Sequence, residues 1–245
     1  MIELSVVIPV YNEQANLPLL WCELREVLDH LACDSEVVFV DDGSLDRSAD
    51  VIRSFHETDG RVRLIRLKTN SGETAATDAG FKAARGRRVV VMDADLQNDP
   101  ADIPLLLSHL DQWDAVTGWR IDRAAGDNVV RRLSSRVANR VRNWVSNENV
   151  RDSGCTFRAF RRDCLRGLIL YRGFHRFIPT LLKMRGYRVI EVPVAHRPRR
   201  FARSKYGILN RVVGASLDLL VVRWMKARLF HHEVVEDLGG GLARH

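Results

Sequence analysis

The chain has little cysteine and uses it without pattern. Cys22, Cys33, Cys155 and Cys164 form no CxxC pair and no His/Cys cluster at zinc-ligand spacing. A chain of 245 residues needs no disulfides to complete its core, so reduced thiols are expected. No uncharged run approaches the roughly 20 residues of a membrane-spanning helix. The most apolar late stretch, Val212–Val222, is broken by Asp218 and stopped by Arg223. Met1-Ile2-Glu3 lacks the basic start of a signal peptide and Pro9 interrupts the apolar run behind it, so a cytoplasmic chain is expected. Internal repeats and zinc-finger, RRM or KH signatures are missing too, which leaves a nucleic-acid-binding reading supported only by the sequence pI of about 9.6 and the arginine-rich segments. A nucleotidyltransferase reading would need a Gly-rich, Lys-containing loop after the first strand, and Tyr11-Asn12-Glu13 is not one.

What is present describes a folded protein. Hydrophobic residues make up 46% and charged residues 28%, which excludes a disordered chain. The net charge of +7 is unevenly spread: residues 1–60 hold 3 basic and 13 acidic residues, the remainder 35 and 18. An acidic front joined to a basic back suggests two tasks on one chain, one of them handling an anion.

Leu4–Val10, Glu36–Val40, Arg61–Leu67 and Arg88–Met92 read as strands, with helical stretches at about 14–31, 45–57, 73–84 and 101–110. Alternation at this spacing predicts βαβ units and a parallel sheet. Unbroken runs such as Val37-Val38-Phe39-Val40 predict strands covered on both faces. After Gly118 the character changes. Residues 119–144 carry seven Arg and two Asp, with Leu133, Val137 and Val141 forming an apolar stripe beside Arg132, Arg136 and Arg140. A second basic cluster, His196 to Arg211, has five Arg, one Lys and no acid. A last amphipathic helix is expected over 208–229, and 231–245, with Gly239-Gly240-Gly241, reads as a disordered tail.

The acids stand where strands end. Glu13 follows the first strand, Asp41 and Asp42 the second, Asp93 and Asp95 the fourth. The carboxyl ends of parallel strands line one crevice, so these groups should converge there and call for a cation. Alternation through Asp93-Ala94-Asp95 would put both carboxylates on one face, continued by Gln97. Two carboxylates and an amide oxygen make a hard site suited to Mg²⁺ or Mn²⁺ bridging a diphosphate. A single Asp at a strand end is usually a turn former or helix cap. The weight comes from five elements in order: Pro9-Val10-Tyr11-Asn12-Glu13, Asp41-Asp42-Gly43-Ser44, Asn70-Ser71-Gly72, Asp93-Ala94-Asp95-Leu96-Gln97, and His196…Arg199…Ser204-Lys205-Tyr206.

With those motifs the chain resembles the family 2 glycosyltransferases, and among them the polyprenyl-phosphate sugar transferases, over roughly residues 2–230. The resemblance implies an α/β GT-A-type nucleotide-diphosphate-sugar transferase fold, a mainly parallel sheet flanked by helices with C-terminal amphipathic helices. It implies one domain over 1–230, with 1–118 binding the nucleotide sugar and 119–230 facing acceptor and membrane. It also implies a UDP- or GDP-linked donor, Mg²⁺ or Mn²⁺, inversion at the anomeric centre and a polyprenyl phosphate acceptor. Carried over by position, Pro9, Tyr11 and Glu13 belong to the nucleoside loop, and Val40 and Asp42 flank and hydrogen-bond the base. Asp93, Ala94 and Asp95 sit beside the sugar diphosphate, with Asp93, Asp95 and Gln97 on the metal. Arg120 matches the donor-side arginine; Arg199 and Lys205 match two late cations near the phosphates, placed to stabilise the departing diphosphate. Asp152 to Arg158 occupies the place of an Asp-x-x-x-x-Phe-Arg segment, although Arg158 by itself reads equally as a surface strand residue.

Two positions depart from the resemblance. Ala202 stands where Gly is frequent, and Glu73 follows Asn70-Ser71-Gly72 where Lys or Gln is common. An ionised lipid phosphate needs no strong base, whereas a sugar hydroxyl acceptor, the alternative, would need one, with Asp152 the candidate. Since nothing spans a bilayer, a peripheral position on the inner face of the plasma membrane is expected, through the basic helix around 129–147 and the segment 208–229. A homo-oligomer is compatible with this reading; a nucleic-acid partner is not part of it.

Overall fold

The computed structural model describes residues 2–121, 151–152, 154–198 and 208–230, the last stretch with side chains from residue 217 onward. Arg199, Lys205, the helix expected at 129–147 and the tail at 231–245 lie outside the described residues.

The first strands and helices follow the expected order: β1 (Leu4–Val10), α1 (Leu17–Leu31), β2 (Ser35–Asp41), α2 (Ser48–Thr58), β3 (Val62–Arg66), α3 (Glu73–Ala83) and β4 (Arg88–Val91). Two 3-10 turns, Pro100–Asp102 and His109–Asp111, flank α4 (Ile103–Ser108). The rest comprises β5 (Ala115–Arg120), β6 (Arg158–Arg161), α5 (Arg162–Leu165), a 3-10 turn at Phe174–Phe177, α6 (Ile178–Met184), β7 (Val189–Val194) and α7 (Ile208–Arg228).

One seven-stranded sheet has the order β3-β2-β1-β4-β6-β5-β7. All neighbours are parallel except β6, which runs antiparallel to both β4 and β5. Alternation along β1 decides what each face buries. Leu4, Val6, Ile8 and Val10 share a cluster with Leu20, Trp21 and Leu24 of α1, Ile52 of α2 and Leu106 of α4. Val7 faces the other way, with Val38, Val40, Val89 and Val91, against Ala76 and Phe81 of α3 and Ile178 and Leu182 of α6. Gly80 is required on that side: a Cβ there would come within 2.2 Å of a Val7 methyl. A third, smaller cluster joins Phe174, Phe177 and Leu181 to Leu219 and Val222 of α7.

This topology fixes the site. The strand order runs outward in both directions from β1 and β4, and such a reversal opens a crevice at the strands' carboxyl ends.

Candidate active site

Three loops meet over that crevice. The loop after β1 is tied to the loop after β2 by reciprocal bonds: Asn12 N donates to Ser44 Oγ (2.9 Å) and Leu45 N to Asn12 Oδ1 (2.7 Å). Glu13 N donates to Ser48 Oγ at 2.9 Å. Asn12 takes a left-handed conformation (φ 53°), which Asn tolerates better than most residues. Pro9 and Val40 are register partners across β1 and β2. Pro9 and Tyr11 are half-buried, whereas the Val40 side chain is fully packed in the core, so backbone is what Val40 can offer a ligand.

Asp41 and Asp42 are both buried. Asp41 accepts from Ser44 N (3.1 Å) and Arg66 Nε (3.1 Å). Asp42 accepts from Ser71 N (2.7 Å) and Gly72 N (2.8 Å), so each of its oxygens holds the 70–72 loop in place. Gly43, at φ 67°, admits the backbone of Thr69 and Asn70, which a Cβ would approach to 2.7 Å.

The third loop, Asp93 to Asn98, carries the acids. Asp93 N donates to Asn98 Oδ1 (3.0 Å), and Asp95 Oδ1 accepts from Gln97 N (3.1 Å). Leu96 has φ 64°, so the chain turns there and the extended alternation expected to carry Gln97 onto the face of Asp93 and Asp95 does not run through. The Gln97 amide nitrogen instead lies 3.3 Å from His196 Nε2. An Asn98–His196 bridge and a 3.0 Å bond from Arg197 N to Gln97 O stitch this loop to the segment after β7.

Asp93 is the most perturbed acid. Burial, then Glu73, then Asp95 push its carboxyl up to about 7, against the opposing pull of Thr156, which donates to Asp93 Oδ2 at 2.5 Å, and of Arg120. Arg120 is held by a two-pronged pair with Asp152, Nε to Oδ2 at 2.6 Å and Nη2 to Oδ1 at 2.9 Å; the second oxygen also accepts from Gly154 N. Burial disfavours the Arg120 cation, but the hydrogen bonds and charge of Asp152 more than offset that. Arg158 is not a surface residue: it lies in β6 with 2% exposure, donating to Thr117 Oγ1 (3.2 Å) and His175 O (2.5 Å). A guanidinium is seldom buried without such partners, and here it braces β5 against the Phe174–Phe177 turn.

A divalent ion fits this arrangement. A cation would relieve the burial and the neighbouring carboxylates that raise Asp93, and oxygen ligands select Mg²⁺ or Mn²⁺. Among the described residues no three His, Cys, Asp or Glu are grouped closely enough to hold a metal, so phosphate and water would complete the shell, as Mg²⁺ usually demands.

The structure thus brings Asp93, Asp95, Arg120 and Asp152 into one group, with Asp42 and Glu13 in the adjoining loops. Three contributors were missed in the sequence: Thr156, Thr74 and His175. His175 Nδ1 lies 2.7 Å from Thr74 Oγ1, and Nε2 lies 3.4 Å from Glu73 Oε1. Thr156 could have been suspected from its place between Asp152 and Arg158; His175 had no local signal.

A doubly wound sheet with acids at its switch point is the GT-A arrangement, and solved structures share it. Glucosyl-3-phosphoglycerate synthase from Mycobacterium tuberculosis, in complex with Mn²⁺, UDP and phosphoglyceric acid, superposes with a TM-score of 0.69 at 20% identity, covering 98% of this chain and 81% of that one. A mannosyltransferase from Pyrobaculum calidifontis, in complex with GDP-Man and Mn²⁺, gives 0.61 at 22% identity, covering 92% and 64%. The family model of Glycosyl transferase family 2 matches residues 5–169, and the chain belongs to that family. Among curated relatives, the undecaprenyl-phosphate 4-deoxy-4-formamido-L-arabinose transferase of Edwardsiella ictaluri is 38% identical over 218 residues, 88% of this chain and 66% of that protein. The dodecaprenyl-phosphate galacturonate synthase of Rhizobium johnstonii is 35% identical over 238 residues, 94% and 70%. The chain therefore spans about two thirds of the length of these relatives.

Proposed function

We propose that this chain transfers a sugar, with inversion, from a UDP- or GDP-linked donor to a polyprenyl phosphate at the inner membrane surface. The observation that carries the reading is the group formed by Asp93, Asp95 and the Arg120–Asp152 pair at the switch point of the sheet, in a chain whose relatives are named for polyprenyl-phosphate substrates. Pro9, Tyr11, Glu13 and the Val40 backbone would receive the nucleoside, with Asp42 shaping the loop beside it. Asp93 and Asp95, with Gln97 near them, would hold Mg²⁺ or Mn²⁺, which supplies positive charge to the diphosphate. Arg120, Arg199 and Lys205 would stabilise the charge that grows on the leaving phosphate. A phosphate acceptor arrives ionised and needs no base. That suits Asp152, whose two oxygens are engaged by Arg120.

The membrane part of the reading is supported by α7. Leu217, Leu220, Val221 and Trp224 are exposed at helical spacing, with Arg223 and Lys226 beside them, while Leu219 and Val222 face the protein. Such a helix suits the plane of an interface, and among the described residues no helix is long and apolar enough to cross a membrane.

The test is transfer of labelled sugar from UDP- and GDP-sugars to vesicles containing undecaprenyl phosphate, with Mn²⁺. Asp95→Asn should lower transfer about a thousandfold or more with the fold intact. Full activity in excess EDTA would overturn the metal role, and transfer confined to a soluble hydroxyl acceptor would overturn the lipid acceptor.

A further inference from the structure

Where β7 ends, the chain is laced to the loop that carries the acids. Gln97 uses both of its backbone groups for this: its N–H donates to Asp95 Oδ1 at 3.1 Å, and its carbonyl accepts from Arg197 N at 3.0 Å. Asn98 is buried, bridges to His196, and accepts from Asp93 N at 3.0 Å through its side chain. Arg197 then reaches outward with both guanidinium ends. Nη1 lies 2.6 Å from Glu23 Oε2 on α1, and Nη2 lies 2.6 Å from Asp99 Oδ2. Asp99 Oδ1 is already taken by Ala101 N (3.0 Å), where it caps the 3-10 turn, so each oxygen has its own donor. The helix on the far side is firm, because Leu20, Trp21 and Leu24 pack it onto the sheet. The Arg197 side chain is 32% exposed and its two partners 27% and 21%. Ion pairs this open contribute little to stability. A planar fork held on two carboxylates fixes a geometry instead.

We propose that Arg197 is a positioning residue for the metal centre: it anchors the loop from Asp93 to Asp99 onto α1, and so sets where the carboxylates of Asp93 and Asp95 meet Mg²⁺ or Mn²⁺. The inference rests on the transferase reading above. Asp95 is joined to Arg197 through the backbone of one residue, Gln97, and Asp93 through the Asn98 side chain. Helix α1 follows the loop after β1, so the clamp also holds the acid loop against the loop proposed for the nucleoside. Mg²⁺ demands near-ideal octahedral geometry, which makes its site sensitive to small shifts of a ligand. Outer groups that orient metal ligands typically cost roughly 10–100-fold in metal affinity when they are removed.

Mn²⁺ titration of the full chain, followed by electron paramagnetic resonance with saturating UDP or GDP, tests this without turnover. Arg197→Ala should raise the Mn²⁺ dissociation constant about tenfold, and Glu23→Gln, which loses one prong, by less. Both variants should melt close to the unaltered protein. Loss of a positive charge would by itself favour Mn²⁺, so a weaker site in Arg197→Ala reports geometry. Arg197→Lys keeps the charge without the fork and should leave most of the loss in place. Glu23→Gln made on Arg197→Ala should add nothing, because the clamp is already gone. Mn²⁺ affinity within about twofold of the unaltered protein in Arg197→Ala, full recovery in Arg197→Lys, or additive losses in the double variant overturn the inference and leave the transferase reading standing. If Arg197→Ala does not fold, unchanged Mn²⁺ affinity in Glu23→Gln overturns it alone. Failure of the unaltered protein to bind Mn²⁺ with either nucleotide overturns the metal reading as well.

Discussion

The two halves of the molecule handle buried charge in opposite ways. Up to β4 the charges are carboxylates, and backbone N–H groups hold them: Ser44 N on Asp41, Ser71 N and Gly72 N on Asp42, Arg85 N on Glu36. From β6 onward, among the described residues, the buried guanidinium is Arg158, held by His175 O, and the more exposed Arg161 and Arg185 are held in the same way by Leu110 O and Asp111 O and by Cys164 O and Arg166 O. At the carboxyl end of β2 tight loops turn amides toward the crevice, and Asp41 and Asp42 match them, while Glu36 does the same at the strands' amino ends. The later connections are short helices and turns whose terminal carbonyls lack intrahelical partners, and these are matched by arginines. The acidic half therefore shapes a cleft for a cationic centre and a nucleotide, while the basic half cross-links irregular chain. The halves meet at Arg120 and Asp152, where an arginine answers an acid directly.

That meeting point is where the comparison breaks most visibly. Asp152→Ala removes both acceptors from a guanidinium that is 14% exposed, leaving a buried charge unmatched. Such losses cost about 3–5 kcal/mol. Chemical denaturation should show a loss of that size, with Asp152→Asn in between. A change below 1 kcal/mol would mean that water reaches Arg120 and that the pair contributes to catalysis more than to structure.

Within the acidic half the expected effect is smaller, because the partners are amides on a half-exposed loop. Asp42→Ala releases Ser71 N and Gly72 N, and each charge-assisted bond of this kind contributes roughly 1.5–3 kcal/mol, reduced where water can replace it. A loss of about 2 kcal/mol is expected, with faster amide exchange confined to residues 70–73. Unchanged exchange there would show that Gly43 alone holds the loop.

The same contrast explains what the sequence could disclose. β1, β2 and β4 are near-continuous apolar runs because they are covered on both faces, and the expected boundaries fall within a residue or so of the observed ones. The helices between them were found because each has one face to bury. β6 reads Arg-Ala-Phe-Arg, and nothing in four residues announces a strand lying antiparallel between β4 and β5. β7 contains Pro193, which an edge strand tolerates but which argues against a strand on sequence alone. In the site, acids at strand ends were legible from composition and order. The set Glu73, Thr74 and His175 was not, since Thr74 and His175 are 101 residues apart and only the fold joins them. The place of Gln97 was not legible because alternation assumes an extended chain, and the left-handed Leu96 ends it.

The subtlest difference between the halves concerns protons. In the basic half, burial raises Cys155 to about 11 and Cys164 to about 12, so these thiols stay neutral at ordinary pH and add no slope. In the acidic half, Asp93 is raised to about 7 by burial, Glu73 and Asp95. Its folded value lies above its ordinary one, so the folded protein holds a proton that the unfolded chain releases. The stabilisation is complete below about pH 4 and is lost as pH rises through about 7. Glu36 works in the opposite direction: burial would raise it, but bonds from Ser5, Arg85 N and Arg63 hold it below the usual range, so its stabilisation is lost only on acidification. Between about pH 5 and 7, where the unfolded chain has released this proton and the folded protein still holds it, Asp93 therefore decides the acidic half's contribution. In EDTA, the melting temperature should fall across that interval, and Asp93→Asn should flatten the curve while histidine titrations cancel in the difference. Mn²⁺ should favour the ionised carboxylate and remove the same slope from the unaltered protein. Parallel melting curves for the two proteins in EDTA would show that water or a reoriented Glu73 already relieves Asp93, and that the crowding of acids there is weaker than the geometry indicates.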